Sequence, residues 1–569
     1  MMSPSHILRS LTLFLGLTSA ARVPAHLNEA TEPTVSIQNG TLVGAVNPHY
    51  NVENFLGIPY AAPPVGQLRL QKPRPARGWT GARKATEYSP RCWGQSIHLI
   101  GFSQNTTDPM DEDCLSINVI RAVGTKADSK LPVVAWIHGG GYQEGSSRDG
   151  RNNGTFLVSK SKKLGTPILF VSFNYRVGSL GMLPGPELER AGLANLGLQD
   201  QRQALRWIQE NVAAFGGDPS CVTIMGESVG ALSVGFHLFA YGGKDDGLFS
   251  GAISQSGGPP LTVASSRTIV EREADFQRVV EKSGCGNSKA PLDCLRTVPA
   301  EVLSKAGADL PPRITVDGDM VRNLSTQLRE GQFVRVPLII GTTRNEGTTF
   351  LEQAVKEPID TEKGFKELIG TSLDKAGVTN ETIKRWAELY QDEIDNPTEG
   401  GLGAVLPNPG ASYGSQFGKA TLWLGDLTFV TNRRFTAQAW ARYGVPSYSF
   451  VFNSVSGYLD SKVFGAAHFQ EIPYVFADTE AKAWDENPFP SDPIERQKHY
   501  KLLDIMSRMW ISFITTKSPN SHNVTVLNVN WPVYSNAKPQ NIVFSSDGTH
   551  LQADSWRVEA IKQIFETYS

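Results

Sequence analysis

Apolar residues gather in short runs along this chain, at Val133 to Ile137, Ile168 to Val171, Cys221 to Met225, Val336 to Ile340 and Tyr448 to Phe452. Runs this brief and this uniformly apolar predict strands covered on both faces. Helical periods lie between several of them. The clearest puts Leu198, Leu205, Ile208, Val212 and Phe215 on one face and Gln199, Asp200, Arg202, Gln203 and Gln209 elsewhere. Gly216-Gly217-Asp218-Pro219 ends it. Further amphipathic helices are predicted over Ile494 to Ile514 and Ser555 to Tyr568. Near the start, Val35-Ser36-Ile37, the turn pair Asn39-Gly40 and Leu42-Val43 predict a hairpin, the beginning of a small N-terminal antiparallel sheet. Strands alternating with helices define an α/β architecture, with a large, mostly parallel central sheet and helices on both faces. In such sheets ligands collect beyond the carboxyl ends of the strands.

At 569 residues, 40% hydrophobic and 19% charged, the chain can bury one large core. Its 54 basic and 56 acidic residues leave a net charge of -2, so nothing electrostatic points to a nucleic-acid partner. The glycine- and proline-rich stretch from Glu399 to Gly414 reads as an excursion within one domain, since helix-like sequence resumes after it. His6 and Arg9, the apolar run Leu11 to Leu17 and the small residues Thr18-Ser19-Ala20-Ala21 have the pattern of a secretory signal. Residues 1–21 are therefore read as a signal peptide and residues 22–569 as a single domain. No other stretch is apolar enough for an integral membrane segment. Asn-x-Ser/Thr sequons at Asn39, Asn105, Asn153, Asn323, Asn380 and Asn523 fit passage through a glycosylating pathway. Five cysteines in a secreted chain suggest two bridges, and spacing favours Cys92 with Cys114 and Cys285 with Cys294. Cys221 is left over, with the expected role of a small buried hydrophobe.

Chemistry enters at Gly226-Glu227-Ser228-Val229-Gly230, which follows the apolar strand Cys221 to Met225 and precedes the helix-like run Ala231 to Ala240. A nucleophilic serine on a strained strand-to-helix turn needs small residues two positions away on each side. The following helix N-terminus offers unpaired N–H groups to a developing negative charge. The same spacing occurs at Gly410-Ala411-Ser412-Tyr413-Gly414, but Pro407 and Pro409 break any strand before it, so Ser412 is read as a loop residue.

A serine hydroxyl needs a base, and the base needs an orienting acid. A serine on this kind of turn implies the chain order serine, acid, histidine, which leaves His468, His499, His522 and His550. The last three lie in polar surroundings and read as solvated. His468 lies in the small-residue loop Phe464-Gly465-Ala466-Ala467-His468-Phe469 beyond a predicted strand and is the candidate base. Glu346, just past the end of the strand Val336 to Ile340, is the candidate acid. Trp136-Ile137-His138-Gly139-Gly140-Gly141-Tyr142 runs a strand into three glycines, as half of an oxyanion hole requires, with Val229 N–H as the other donor. No Gly-Lys-Ser/Thr follows the glycines, so they do not read as a phosphate loop. This chemistry requires no cofactor and no metal.

With Phe55-Leu56-Gly57-Ile58-Pro59-Tyr60-Ala61, Glu112-Asp113-Cys114-Leu115, Asn174-Tyr175-Arg176-Val177-Gly178 and Phe215-Gly216-Gly217-Asp218-Pro219 added to these motifs, the chain resembles the type-B carboxylesterase/lipase family, which includes cholinesterases and fungal lipases. The resemblance covers nearly the whole mature chain and implies the α/β-hydrolase fold. It implies Ser228 as nucleophile, Glu346 as acid, His468 as base, Gly140, Gly141 and Val229 as oxyanion donors, and both disulfides. Ser256 matches a family serine that supports the acid, and Glu227, beside the nucleophile, is grouped with it as a supporting residue. Relatives usually carry alanine at Val229. The Cys92 to Cys114 loop is short for an interfacial lid and lacks the choline-binding tryptophan of cholinesterases, Phe102-Ser103-Gln104-Asn105-Thr106 standing there. The expectation is a secreted serine hydrolase of small-molecule or lipid carboxylic esters. The alternative is a catalytically silent, cholinesterase-like binding protein, although such relatives usually lack the serine.

Overall fold

A computed structural model describes residues 32–103, 107–259, 269–310, 314–372, 378–395, 409–522 and 529–568. The expected signal peptide, the sequons at Asn105 and Asn523 and most of the Glu399 to Gly414 excursion lie outside the described residues.

Seven mutually parallel strands form the middle of an eleven-stranded sheet, in the order Leu169–Phe173, Leu131–Ile137, Gly217–Glu227, Gly251–Gln255, Leu338–Thr343, Ser447–Phe452, Gln540–Phe544. Antiparallel strands extend both sides: Ser116–Ala122, Val52–Pro59 and Ala45–Asn47 beyond the first, His550–Ala553 beyond the last. The five predicted strands are all central. Gly251–Gln255 and Gln540–Phe544 were not anticipated, because Ser254, Gln255, Gln540 and Asn541 interrupt their apolar character.

Alternation along each strand supplies two cores. Val133, Ala135 and Ile137 pack on one face with Leu205 and Ile208 of the helix Leu196–Asn211. Val134 and Trp136 pack on the other with Met506 and Trp510 of the helix Pro493–Thr516. Each fully buried Val, Leu, Ile or Met among these contributes roughly 1.5–3 kcal/mol of transfer free energy. This two-sided cover holds the carboxyl ends of the parallel strands rigid, and the candidate residues sit there.

Several expectations need correction. On the helix Leu196–Asn211, Asp200, Arg202 and Gln203 are buried although they lie off the apolar face. Asp200 accepts two hydrogen bonds of 2.7 Å from the Arg176 guanidinium, so another layer of structure covers what periodicity alone would expose. His499 is buried as well, hydrogen-bonded to Tyr474, whereas His550 is exposed and His522 half-buried. The N-terminal sheet is mixed, since Ala82–Lys84 joins the hairpin strand Gly40–Val43 in parallel. Both expected disulfides are present. Cys221 is free but only half-buried, and its sulfur accepts from Lys517 Nζ at 3.4 Å. Ser412 lies in an exposed turn.

Candidate active site

Ser228 stands between the strand Gly217–Glu227 and the helix Val229–Gly243 with φ 57° and ψ -127°, a conformation that L-residues avoid and that only the surrounding structure can enforce. Its N–H donates to Gln255 O at 3.0 Å. The flanking glycines are sterically required. A Cβ on Gly226 would lie 2.4 Å from the carbonyl carbon of Gly230, and one on Gly230 would lie 2.1 Å from Ile137 O. The backbones can approach this closely only without those side chains, and Ser228 is thereby held at the helix N-terminus, 8% exposed.

Gly140 and Gly141 adopt φ 104° and 62°, turning the chain away from the strand Leu131–Ile137. Neither of their N–H groups has a protein acceptor among the described residues. Val229 is the first residue of its helix, where no intrahelical acceptor exists for the N–H. His138 braces the turn. It stacks on Tyr175 at 4.2 Å, and its Nδ1–H donates to Gly139 O at 2.9 Å. Burial pushes its pKa down to about 4, so the ring is neutral.

Glu346 opens the helix Glu346–Ala354, where the helix dipole favours a carboxylate. Its Oε1 accepts from Thr343 N–H at 2.7 Å, and its Oε2 lies 2.6 Å from Nδ1 of His468. Both side chains are 1% exposed. The imidazole is thus oriented by the carboxylate, with Nε2 left for other work. That nitrogen makes no hydrogen bond: it lies 3.2 Å from Glu227 Oε1, poorly aligned for one, and is not bonded to Ser228 Oγ. The structure therefore joins base to acid, brings the serine turn and both glycines to the same sheet end, and leaves the serine–histidine bond unmade. Ser256 adopts φ 51°, and its hydroxyl makes no hydrogen bond.

Two further features were not anticipated. Glu471, three residues beyond His468, is fully buried and accepts from Gln255 Nε2 at 3.1 Å, while Trp510 Nε1 donates to Gln255 Oε1 at 3.0 Å. Burial pushes the Glu471 carboxyl up to about 7. Burial, and after it the charges of Glu471 and Glu346, hold Glu227 well above the usual carboxylate range. Low dielectric and like charge both disfavour the ionised forms of Glu227 and Glu471. The second feature is an aromatic wall: Phe429, Phe350 and Phe102 have ring centroids 4.9, 5.0 and 6.4 Å from that of His468. The only sequence signal for Glu471 was its spacing from His468, and no spacing connects Phe429 to the histidine.

Residues 31–558 match the model of the carboxylesterase family, and the chain belongs to that family. It is a carboxylic ester hydrolase with the α/β-hydrolase fold. Among its relatives, a protein named Lipase 2 from Diutina rugosa is 32% identical, over 94% of this chain and 96% of its own length. Secreted lipase 1 of Botryotinia fuckeliana (strain B05.10) is also 32% identical, over 97% and 96%. The crystal structure of Aspergillus niger EstA superposes with a TM-score of 0.79 at 28% identity, covering 95% of this chain and 98% of that one.

Proposed function

We propose that this protein cleaves carboxylic esters through an acyl-enzyme on Ser228. Nε2 of His468 takes the hydroxyl proton as Oγ attacks the ester carbonyl, and Glu346 stabilises the resulting imidazolium through Nδ1. The N–H groups of Gly140, Gly141 and Val229 receive the oxyanion. The imidazolium then protonates the departing alcohol. Water, deprotonated by the same nitrogen, attacks the acyl carbonyl, and as the C–O bond to Ser228 breaks the imidazolium returns its proton to Oγ and the acid is released. The observation that carries this reading is the 2.6 Å pair of His468 and Glu346 beside a serine held at positive φ. In apo geometry the serine–histidine bond is commonly long, and it closes as substrate displaces solvent from the hydroxyl. Replacement of Ser228 by alanine should lower turnover of p-nitrophenyl butyrate by roughly a million-fold and abolish fluorophosphonate labelling. Near-normal turnover in that variant would reject the assignment.

The names of the relatives called lipases support lipid esters beside simple ones as proposed substrates, and rates across acyl chains from acetate to palmitate, with an emulsified triglyceride, would rank them. Secretion is part of the same proposal, supported by the signal-like N-terminus and by the relative named a secreted lipase. Loss of residues 1–21 from protein recovered outside the cell is the expected result. Residues 22–569 are proposed to form one domain, so limited proteolysis should release no stable half. Of the sequons within the described residues, Asn323 and Asn380 are exposed and suited to carry glycans. Asn39 is less suited, because its Nδ2 donates to Ala76 O at 2.9 Å. Asn153 is half-buried.

A further inference from the structure

The helical segment from Phe417 to Arg442 is continuous except that residues Asp426–Val430 form a π-turn between two α-helical stretches. One extra residue in a helical turn rotates all that follows by about 100° relative to an uninterrupted α-helix. The turn is locked from outside the site. The Asp426 carboxylate accepts from Arg557 Nε at 2.6 Å, Arg557 Nη2 at 2.8 Å and Tyr390 Oη at 2.8 Å, all buried. Its carbonyl accepts from Thr431, through N–H and through Oγ1 at 2.8 Å.

The same segment touches both members of the acid–base pair. A Cβ on Gly425 would lie 3.5 Å from the Cβ of Glu346, and one on Gly347 would lie 2.0 Å from Thr421 O, so the segment packs directly against the acid's helix. Within the π-turn, Phe429 is 4% exposed, with its ring 4.9 Å from that of His468. It also stacks on Phe350 at 5.6 Å, and Phe350 lies 5.0 Å from the imidazole. The Glu346 bond holds His468 by Nδ1 alone. A single such bond leaves the ring free to tilt, and Nε2 then has two destinations, the Glu227 carboxyl at 3.2 Å and the serine.

We propose that Phe429 is a positioning residue for His468, and that the π-turn, locked through Asp426 by Arg557 and Tyr390, sets it against the imidazole so that Nε2 is directed to Ser228 rather than settling on Glu227. This rests on the proposed roles of Ser228 and His468. Phe429 acts on the general base and not on the substrate, so its loss lowers acylation for every ester alike. In Phe429→Leu, kcat for p-nitrophenyl acetate should fall roughly tenfold or more with KM within about twofold, since small misplacements of a catalytic group have effects of that order. The fall should be the same from acetate to octanoate. Phe429→Tyr, which keeps the ring face, should restore kcat to within about threefold of the parent. Tyr390→Phe, remote from the substrate, should reproduce a smaller uniform fall in kcat without moving KM. Phe429→Met replaces the leucine variant if circular dichroism shows the latter unfolded. A raised KM with kcat kept, a loss confined to long acyl chains, or failure of tyrosine to rescue a folded variant would each overturn the proposal. Ser228→Ala is run alongside. If it is dead while Phe429→Leu is fully active, only the positioning role fails. If it is active, the proposed mechanism fails first.

Discussion

Asn345 and Ala466 exchange two hydrogen bonds of 3.0 Å: Asn345 N–H donates to Ala466 O, and Ala466 N–H donates to Asn345 Oδ1. One residue precedes the candidate acid in the chain, and the other lies two positions before the candidate base. The pair therefore fastens the two loops whose relative placement sets the 2.6 Å contact between Glu346 and His468. Thr348 Oγ1, which donates to Phe464 O at 2.9 Å, adds a second tie.

Asn345→Ala removes the side-chain half of this exchange and leaves the Ala466 N–H without its partner. A stability loss of about 1–3 kcal/mol is expected, read from the urea midpoint. The fall in kcat should exceed any change in KM. Unchanged kcat would mean that the loops hold their spacing without the tie.

Gly230→Ala should be far more damaging than an ordinary surface change. The added methyl would sit 2.1 Å from Ile137 O, at the end of a central strand, and 2.9 Å from His138 O, in the turn that follows it. Overpacking there should destabilise by roughly 3 kcal/mol or more and move Ser228 off its turn. Parent-like urea unfolding with full activity would show that the strand and helix separate more easily than their packing implies.

Glu471 gives stability a pH dependence. Burial pushes its carboxyl up to about 7 in the fold, from an ordinary value of 4.5 in the unfolded chain. Between those values the native state holds the extra proton, so stability is fully present below the unfolded pKa and is lost as pH rises through the folded one. The loss attributable to this group is roughly 3 kcal/mol between pH 4.5 and 8. Glu471→Gln can still accept from Gln255 and should remove this component. The difference in urea midpoints between variant and parent should therefore grow in the variant's favour from pH 5 to pH 8, and a difference independent of pH would refute it.

Asp554 should be among the least replaceable residues outside the site. It is fully buried and accepts from Arg433 Nη2 at 2.7 Å, Arg434 Nη2 at 2.8 Å and Tyr534 Oη at 2.8 Å. The two guanidiniums overcome burial and hold its pKa far below the ordinary range. Asp554→Asn leaves two buried cations uncompensated, and a loss of about 3–5 kcal/mol follows. For the parent, the contribution is present above the unfolded pKa of Asp and declines as pH falls below it. Thermal melts at pH 7 and pH 3 check both statements: the gap between parent and variant should be wide at the first and narrower at the second.

Much of this site was legible along the chain because its requirements are local. A serine at positive φ needs small neighbours at fixed offsets, an oxyanion turn needs glycines after a strand, and buried parallel strands need unbroken apolar runs. Those constraints act between residues close in sequence and leave a pattern there. Strands with polar interior residues, such as Gly251–Gln255, escaped the same reading because tertiary hydrogen bonds satisfy them. His499 was misplaced for a related cause: a polar residue on a helix looks solvated until the layer that covers it is known.

The amino-acid order by itself determined the class of fold, the serine turn and the acid and base candidates, since each follows from local geometry, spacing or a motif that survives without the rest of the molecule. Only the tertiary structure decided the environment in which those groups work. Glu227 and Glu471 gather about His468, Phe429 reaches it through a π-turn, and Arg557 holds that turn from 131 positions further along the chain. Desolvation, charge coupling and ring packing depend on distances in space, and residues far apart in sequence carry no local signal of how near they come.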